Sequence, residues 1–186
     1  MSTGYKILDQ EGLYYLTFQI VGWVDIFTRK VYRDIVIESF QYCQKTKGLE
    51  LFAYVIMSNH VHLMARSRTI DLSGIIRDFK SHTSKKFLEV IADEKEIRSE
   101  WMKIVFGYHG KFKIKQTYQV WTHENHSEII YSQNFIEQKI NYIHDNPVRA
   151  GIVERPEEYL YSSAKNYAGE EGLIEIIKVD LQWKKV

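Results

Sequence analysis

The sequence predicts an α+β fold: a ferredoxin-like split β-α-β domain with an antiparallel central sheet and one helix added at the C-terminal end. Three observations predict it. Segments with the two-residue period of a strand and the 3.6-residue period of a helix follow one another as strand, helix, strand, strand, helix, strand, helix. The second and third strands are joined only by Ser58-Asn59, a turn pair suited to a hairpin. A hydrophobic share of 45%, 14% aromatic residues and only two prolines in 186 residues provide enough bulky side chains for one core.

Leu13 to Val21 is rich in β-branched and aromatic residues and forms the first strand. Val31, Ile35, Ile37 and Phe40 recur among charges up to Gln44 as on an amphipathic helix, and Lys47-Gly48 closes it. Leu49 to Met57 and His60 to Ala65 form the hairpin. Asp71 or Ser73 can cap a helix reaching about Val90, with Ile75, Ile76, Phe79, Phe87 and Leu88 on its apolar face. Thr117 to Thr122 reads as a fourth strand. Asn134 to Asn146 reads as a helix with Ile136, Ile140 and Ile143 inward, stopped by Pro147, which pushes the residue before it out of helical geometry. The length predicts a single domain over 1–186, with 169–186 a short strand, a packed helix or a dimer-forming tail.

Composition also narrows function. No apolar run approaches the roughly 18 residues of a membrane span, and Met1 to Gln10 lacks a signal-peptide pattern, so a cytoplasmic protein is expected. Cys43 is the only cysteine, which excludes an internal disulfide and a thiolate metal cage. A net charge of +1 does not by itself announce a nucleic-acid partner. Charge is nevertheless segregated, with four lysines and no acid between Lys103 and Lys115.

The sharpest chemical feature is His60-Val61-His62. On a strand both imidazoles share one face, where two rings can hold one cation. For a bare His-x-His the plainer reading, one or both histidines as satisfied surface residues of the hairpin, is the preferred one. Tyr142 and Asn146, four residues apart, lie one turn apart on one side of a helix and can offer a nucleophile and a ligand together. The plainer reading makes Tyr142 a packing aromatic and Asn146 a helix-ending residue. A phenol with pKa near ~10 needs a polarised phosphate before it can attack phosphorus.

Tyr54-Val-Ile-Met-Ser-Asn-His-Val-His-Leu63, Tyr142-Ile-His-Asp-Asn-Pro-Val-Arg-Ala-Gly-Ile-Val153 and Tyr161-Ser-Ser163 together resemble the single-tyrosine transposases of the HUH superfamily, in particular the REP-associated branch. The resemblance runs from about Tyr14 to Tyr167. It implies a ferredoxin-like domain that binds single-stranded or hairpin DNA and breaks and rejoins strands at hairpin-flanked sites. Mg²⁺ or Mn²⁺ would sit on His60, His62 and Asn146, and Tyr142 would attack the scissile phosphate to give a 5′-phosphotyrosine. Such a protein would work at the nucleoid of a prokaryote, and both a monomer and a homodimer fit the resemblance.

Candidate DNA contacts are Arg77, Lys80, Lys85 and Lys86 on the middle helix, Lys111, Lys113 and Lys115 interleaved with Tyr108, Phe112 and Tyr118, and Arg149 beyond the last helix. Lys80 leads this set, because Asp78-Phe-Lys-Ser81 also resembles the family. Glu124 and His126 would support the site or shape a loop, and Tyr131, which lacks a polar partner one turn later, is the weaker nucleophile. Two other classes remain: a hairpin-binding protein that no longer cuts, and a zinc hydrolase on the two histidines, for which the chain is short of further ligands.

Overall fold

The computed structural model describes residues 7–93, 96–111 and 117–180. Its elements are β1 (Tyr14–Gln19), α1 (Lys30–Lys47), β2 (Leu49–Ile56), β3 (His60–Ser67), α2 (Leu72–Ala92), α3 (Ser99–Gly110), β4 (Glu128–Ile129), α4 (Gln133–Arg149) and α5 (Ala164–Tyr167). The sheet runs β2-β3-β1-β4, and every neighbouring pair is antiparallel. β1 and β2 therefore run parallel with β3 between them, joined by α1. This is the split β-α-β arrangement expected from the sequence.

Alternation along the strands sorts side chains between two faces. Leu16, Phe18, Val61 and Leu63 go to one face, where α1 and α2 cover them, and Phe40 stacks on Phe79 at 4.6 Å with Phe18 against the same ring. Such aromatic pairs add ~0.5–1.5 kcal/mol beyond the area they bury. Tyr15, Thr17, His60 and His62 go to the opposite face, towards α4. That face carries the chemistry.

The helix ends follow their sequence signals. Gly48 closes α1 in the left-handed conformation at φ 75°, and a Cβ there would come within 2.8 Å of Thr69. Asp71 caps α2 by accepting from the Gly74 N–H, and Ser132 caps α4 by accepting from the Phe135 N–H. At the α2–α3 joint the buried Glu96 carboxylate accepts from Tyr32 Oη at 2.7 Å and Arg29 at 2.6 Å, and from the Arg98 backbone, which ties α3 to α1.

Three expectations change. Thr117–Thr122 is not a strand: its bonds scatter over Phe106, Val21 and Gln19, and only Trp121 forms a β-bridge, with Ile20. The fourth strand is Glu128–Ile129, pairing with Tyr14 and Tyr15. Pro147 does not stop α4, because near a C-terminus one missing N–H is a small loss. The helix continues to Arg149 and ends at Gly151 (φ 69°), where Ile152 N–H reaches Pro147 O and Gly151 N–H reaches Val148 O. The described tail to residue 180 forms no strand or helix after α5; it lies along the β2 edge, with Ile177 N–H donating to Leu51 O. Helix α3 is an element that the periodicity did not predict.

Candidate active site

His60 and His62 alternate with buried Val61 on β3, their rings 4.6 Å apart. Each Nδ1 is committed. His60 Nδ1 lies 2.7 Å from Asn59 Oδ1, an atom that can only accept, so the ring must carry its proton on Nδ1 and present an unprotonated Nε2. His62 Nδ1 lies 2.8 Å from Tyr15 Oη and 2.9 Å from Thr17 Oγ1. Register explains this, since Thr17 stands directly across from His62 and Gln19 across from His60. Outer hydrogen bonds of this kind fix the ring orientation of a metal-binding histidine.

Burial keeps both imidazoles neutral. Desolvation lowers the pKa of His60, and pushes that of His62 down to about 3 with help from the charges of His60, Lys139 and Arg149. A neutral ring with an unprotonated Nε2, the tautomer that Asn59 imposes on His60, is what a cation requires. Among the described residues no third His, Cys, Asp or Glu joins them. The further donor that the sequence pattern offers is Asn146, whose Nδ2 donates to Tyr142 O at 2.7 Å and so leaves Oδ1 over. Two imidazole nitrogens and one neutral oxygen fit a divalent ion that keeps several positions vacant.

Helix α4 brings Tyr142 to this face within the same chain. Its ring meets His62 edge-on at 5.5 Å and Tyr15 at 6.1 Å, the Arg149 guanidinium lies 4.8 Å over it, and it remains 36% exposed. Lys139, one turn earlier, covers the Tyr15 ring at 4.1 Å and pairs with Glu128 at 2.9 Å. Buried His144 anchors the helix from its other side, its Nε2 at 2.8 Å from Ser163 Oγ, which is also held by the Tyr54 backbone. An exposed phenol, a neutral imidazole and an arginine thus stand together on this face.

The model of the IS200-like transposases matches residues 23–139, well over half of the sequence. The chain belongs to the IS200-like transposase family. That match includes His60 and His62 and stops before Tyr142 and Asn146. Along its whole length this IS200-like chain also shares its fold with the solved structure of a REP-associated tyrosine transposase bound to a REP hairpin: TM-score 0.59 and 14% identity, over 100% of this chain and 99% of that one. A search of curated proteins found no match. No helix among the described residues is long and apolar enough to cross a membrane.

The basic residues of this IS200-like transposase are dispersed. Lys80 is largely enclosed: its ammonium donates to Thr122 O at 3.0 Å and to Asn125 Oδ1, and lies over the Phe18 ring at 4.8 Å. Lys80 thus holds the 122–125 loop and also lines the cleft between α2 and residues 117–125. Arg77, paired with Asp78, lines with Lys85 a cleft of about 1050 Å³ between α2 and residues 117–125, and Glu124 lines the same cleft. Lys86 pairs with Glu89. Lys111 is exposed at the end of α3, whereas Phe112, Lys113 and Lys115 lie outside the described residues. Tyr131 is exposed just before the α4 cap, and His126 sits in the loop ahead of β4 at φ 36°. Sequence reasoning missed Tyr15, Thr17 and Asn59. The two-residue period of β1 puts Tyr15 and Thr17 on one face, but only the register aims them at His62.

Proposed function

We propose that this transposase cleaves and rejoins single-stranded DNA at hairpin-flanked sites, with Tyr142 as nucleophile. The observation that carries the reading is the 5.5 Å approach of the Tyr142 and His62 rings within one chain. Tyr142 Oη attacks the scissile phosphorus, and the bond to the 3′ oxygen breaks. That oxygen leaves with the electron pair and takes up one proton as the phenol gives one up. The 5′ phosphate stays on Tyr142, so the energy of the diester is conserved for rejoining to a second 3′ hydroxyl.

His60, His62 and Asn146 would hold Mg²⁺ or Mn²⁺, which when bound supplies Lewis-acid polarisation of the phosphate. Arg149 lies where its guanidinium can hydrogen-bond the non-bridging oxygens and neutralise the charge that grows on them. Tyr15 and Thr17 hold His62 in one orientation. The REP hairpin seen with the solved relative suggests the same class of partner for this chain.

The test is incubation with a pool of labelled single-stranded DNA hairpins and Mn²⁺, followed by denaturing electrophoresis. The wild type should give a protein–DNA adduct that chelation prevents. Tyr142→Phe should retain the DNA without forming the adduct, and His60→Ala should lose metal-dependent adduct with binding kept. Hairpin retention with no adduct in any variant would replace this reading with that of a binding protein. Adduct at the wild-type rate from Tyr142→Phe would remove Tyr142 from its role.

A further inference from the structure

We infer that Trp23 is a base-stacking residue that holds an unpaired nucleotide of the DNA next to the metal-binding histidines. The inference rests on the DNA-cleaving reading above and adds to it a place for the substrate.

Three observations converge on Trp23. It is 67% exposed, and among the described residues no ring or cation packs on its indole. Single exposed aromatics are common on protein surfaces, so exposure makes the indole available without assigning it a task.

The backbone beneath it is held in a costly shape. Gly22 and Trp23 are consecutive left-handed residues at φ 63° and 56°, spanned by the Val24 N–H to Val21 O contact. This is the pattern of a type I′ turn, whose second central position favours glycine or asparagine. Tryptophan there is sterically disfavoured, so local folding does not account for it; an outlier of this kind points to a task outside folding. Gly22 has its own reason to be glycine, as a Cβ would come within 2.7 Å of Val105 on α3.

The third observation is position. Asn59 joins this turn to the metal-binding strand: its Nδ2 donates to Trp23 O at 3.3 Å, while its Oδ1 accepts from His60 Nδ1 at 2.7 Å. The Ile20 N–H to Asn59 O and Phe27 N–H to Ser58 O bonds fasten the two segments on either side. One amide side chain thus separates the residue carrying the exposed indole from a ring that would hold the cation. With the scissile phosphate at the histidines, a flanking nucleotide would be the one to meet the indole. Exposed aromatics beside a phosphate site recognise single strands by stacking, which tolerates any base.

The experiment measures binding in the non-cleaving Tyr142→Phe protein, with hairpins retained from the pool as probes, made either with a single-stranded flank or blunt. A third probe has abasic sites along the flank. Trp23→Ala should weaken binding of the flanked hairpin roughly tenfold and leave the blunt hairpin unchanged, and Trp23→Phe should restore most of the loss. On the abasic probe Trp23→Ala should cost nothing further. Trp23→Gly, which suits the left-handed position, should lose the same affinity while melting at an equal or higher temperature, separating stacking from folding. Equal losses on flanked and blunt hairpins, or no loss on either, overturn the assignment of Trp23 while leaving the DNA-cleaving reading intact. Absence of hairpin binding by the parent protein overturns both.

Discussion

At the residue scale, local periodicity places side chains on a common face, and contacts across the fold decide their surroundings. His60 and His62 share a face because a strand alternates, and Tyr142 and Asn146 share a side because a helix turns. Lys80 is the opposite case. Its place in the sequence resembles a phosphate contact, yet burial pushes its pKa down to about 7, as desolvation penalises the charged form. Lys80 also reaches the site indirectly: Asn125 O, on the residue whose side chain it holds, accepts from Thr17 N–H, and Thr17 Oγ1 meets His62. The lowered value sets a sign. Between about pH 7 and the ordinary lysine value the unfolded chain binds a proton that the folded chain does not, so stability rises with pH across that window, by up to ~1.4 kcal/mol per pH unit. Below it both states are protonated and the slope vanishes. Denaturant unfolding of wild type and Lys80→Met at neutral pH and about two units higher should show the wild type gaining relative to the variant. Parallel changes in the two proteins would mean that Lys80 keeps an unshifted ammonium.

At the element scale, β1, α1, β2, β3 and α2 were legible because each is an amphipathic helix or a continuous apolar run, β2 being buried on both faces, with a clear stop. Helix α3 was not. Its inward residues Met102 and Phe106 are accompanied by exposed Trp101, Ile104 and Tyr108, so apolar character runs round the helix and no period stands out. β4 was missed because two residues carry no period at all, and their pairing with β1 is set by the fold. The end of α4 was misplaced because Pro147 was given more weight than Gly151, although the helix is closed by the two bonds around the glycine. Nothing lies within 4 Å of a Cβ built on Gly151, so Gly151→Ala isolates the cost of the left-handed backbone. The variant should lose about 1 kcal/mol, a melting shift of ~2–4 °C. Pro147→Ala should leave the helix end where it is, checked by amide exchange at Gly151 and Ile152. If Gly151→Ala melts with the wild type while Pro147→Ala lengthens the helix, the proline is the stop after all.

At the scale of the whole molecule, the outer edge of β2 is the exposed flank of the sheet, and the C-terminal segment covers it. Ile56 N–H donates to Tyr161 O, Ser163 N–H to Tyr54 O and Ile177 N–H to Leu51 O, so the edge is paired by its own chain at three points. The segment also anchors in α1, where Gln41 and Gln44 donate to Leu173 O and Glu175 O, and it buries Ile174 to 2% exposure. An uncovered edge strand is a template for pairing with another molecule. Deleting residues 171–186 should therefore do two separable things. Loss of the Ile174 contact alone removes ~1.5–3 kcal/mol, which should lower the melting temperature by several degrees. Exposure of the Leu51 end of β2 should make the shortened protein associate as concentration rises, seen as a growing hydrodynamic radius by light scattering. The described tail meets α4 at its first turn, where Gln133 Nε2 donates to Asp180 O, nine residues before Tyr142, so adduct formed per folded molecule should persist at low concentration. A shortened protein that melts and scatters like the full chain would mean that residues 171–180 lie on the sheet edge without protecting it.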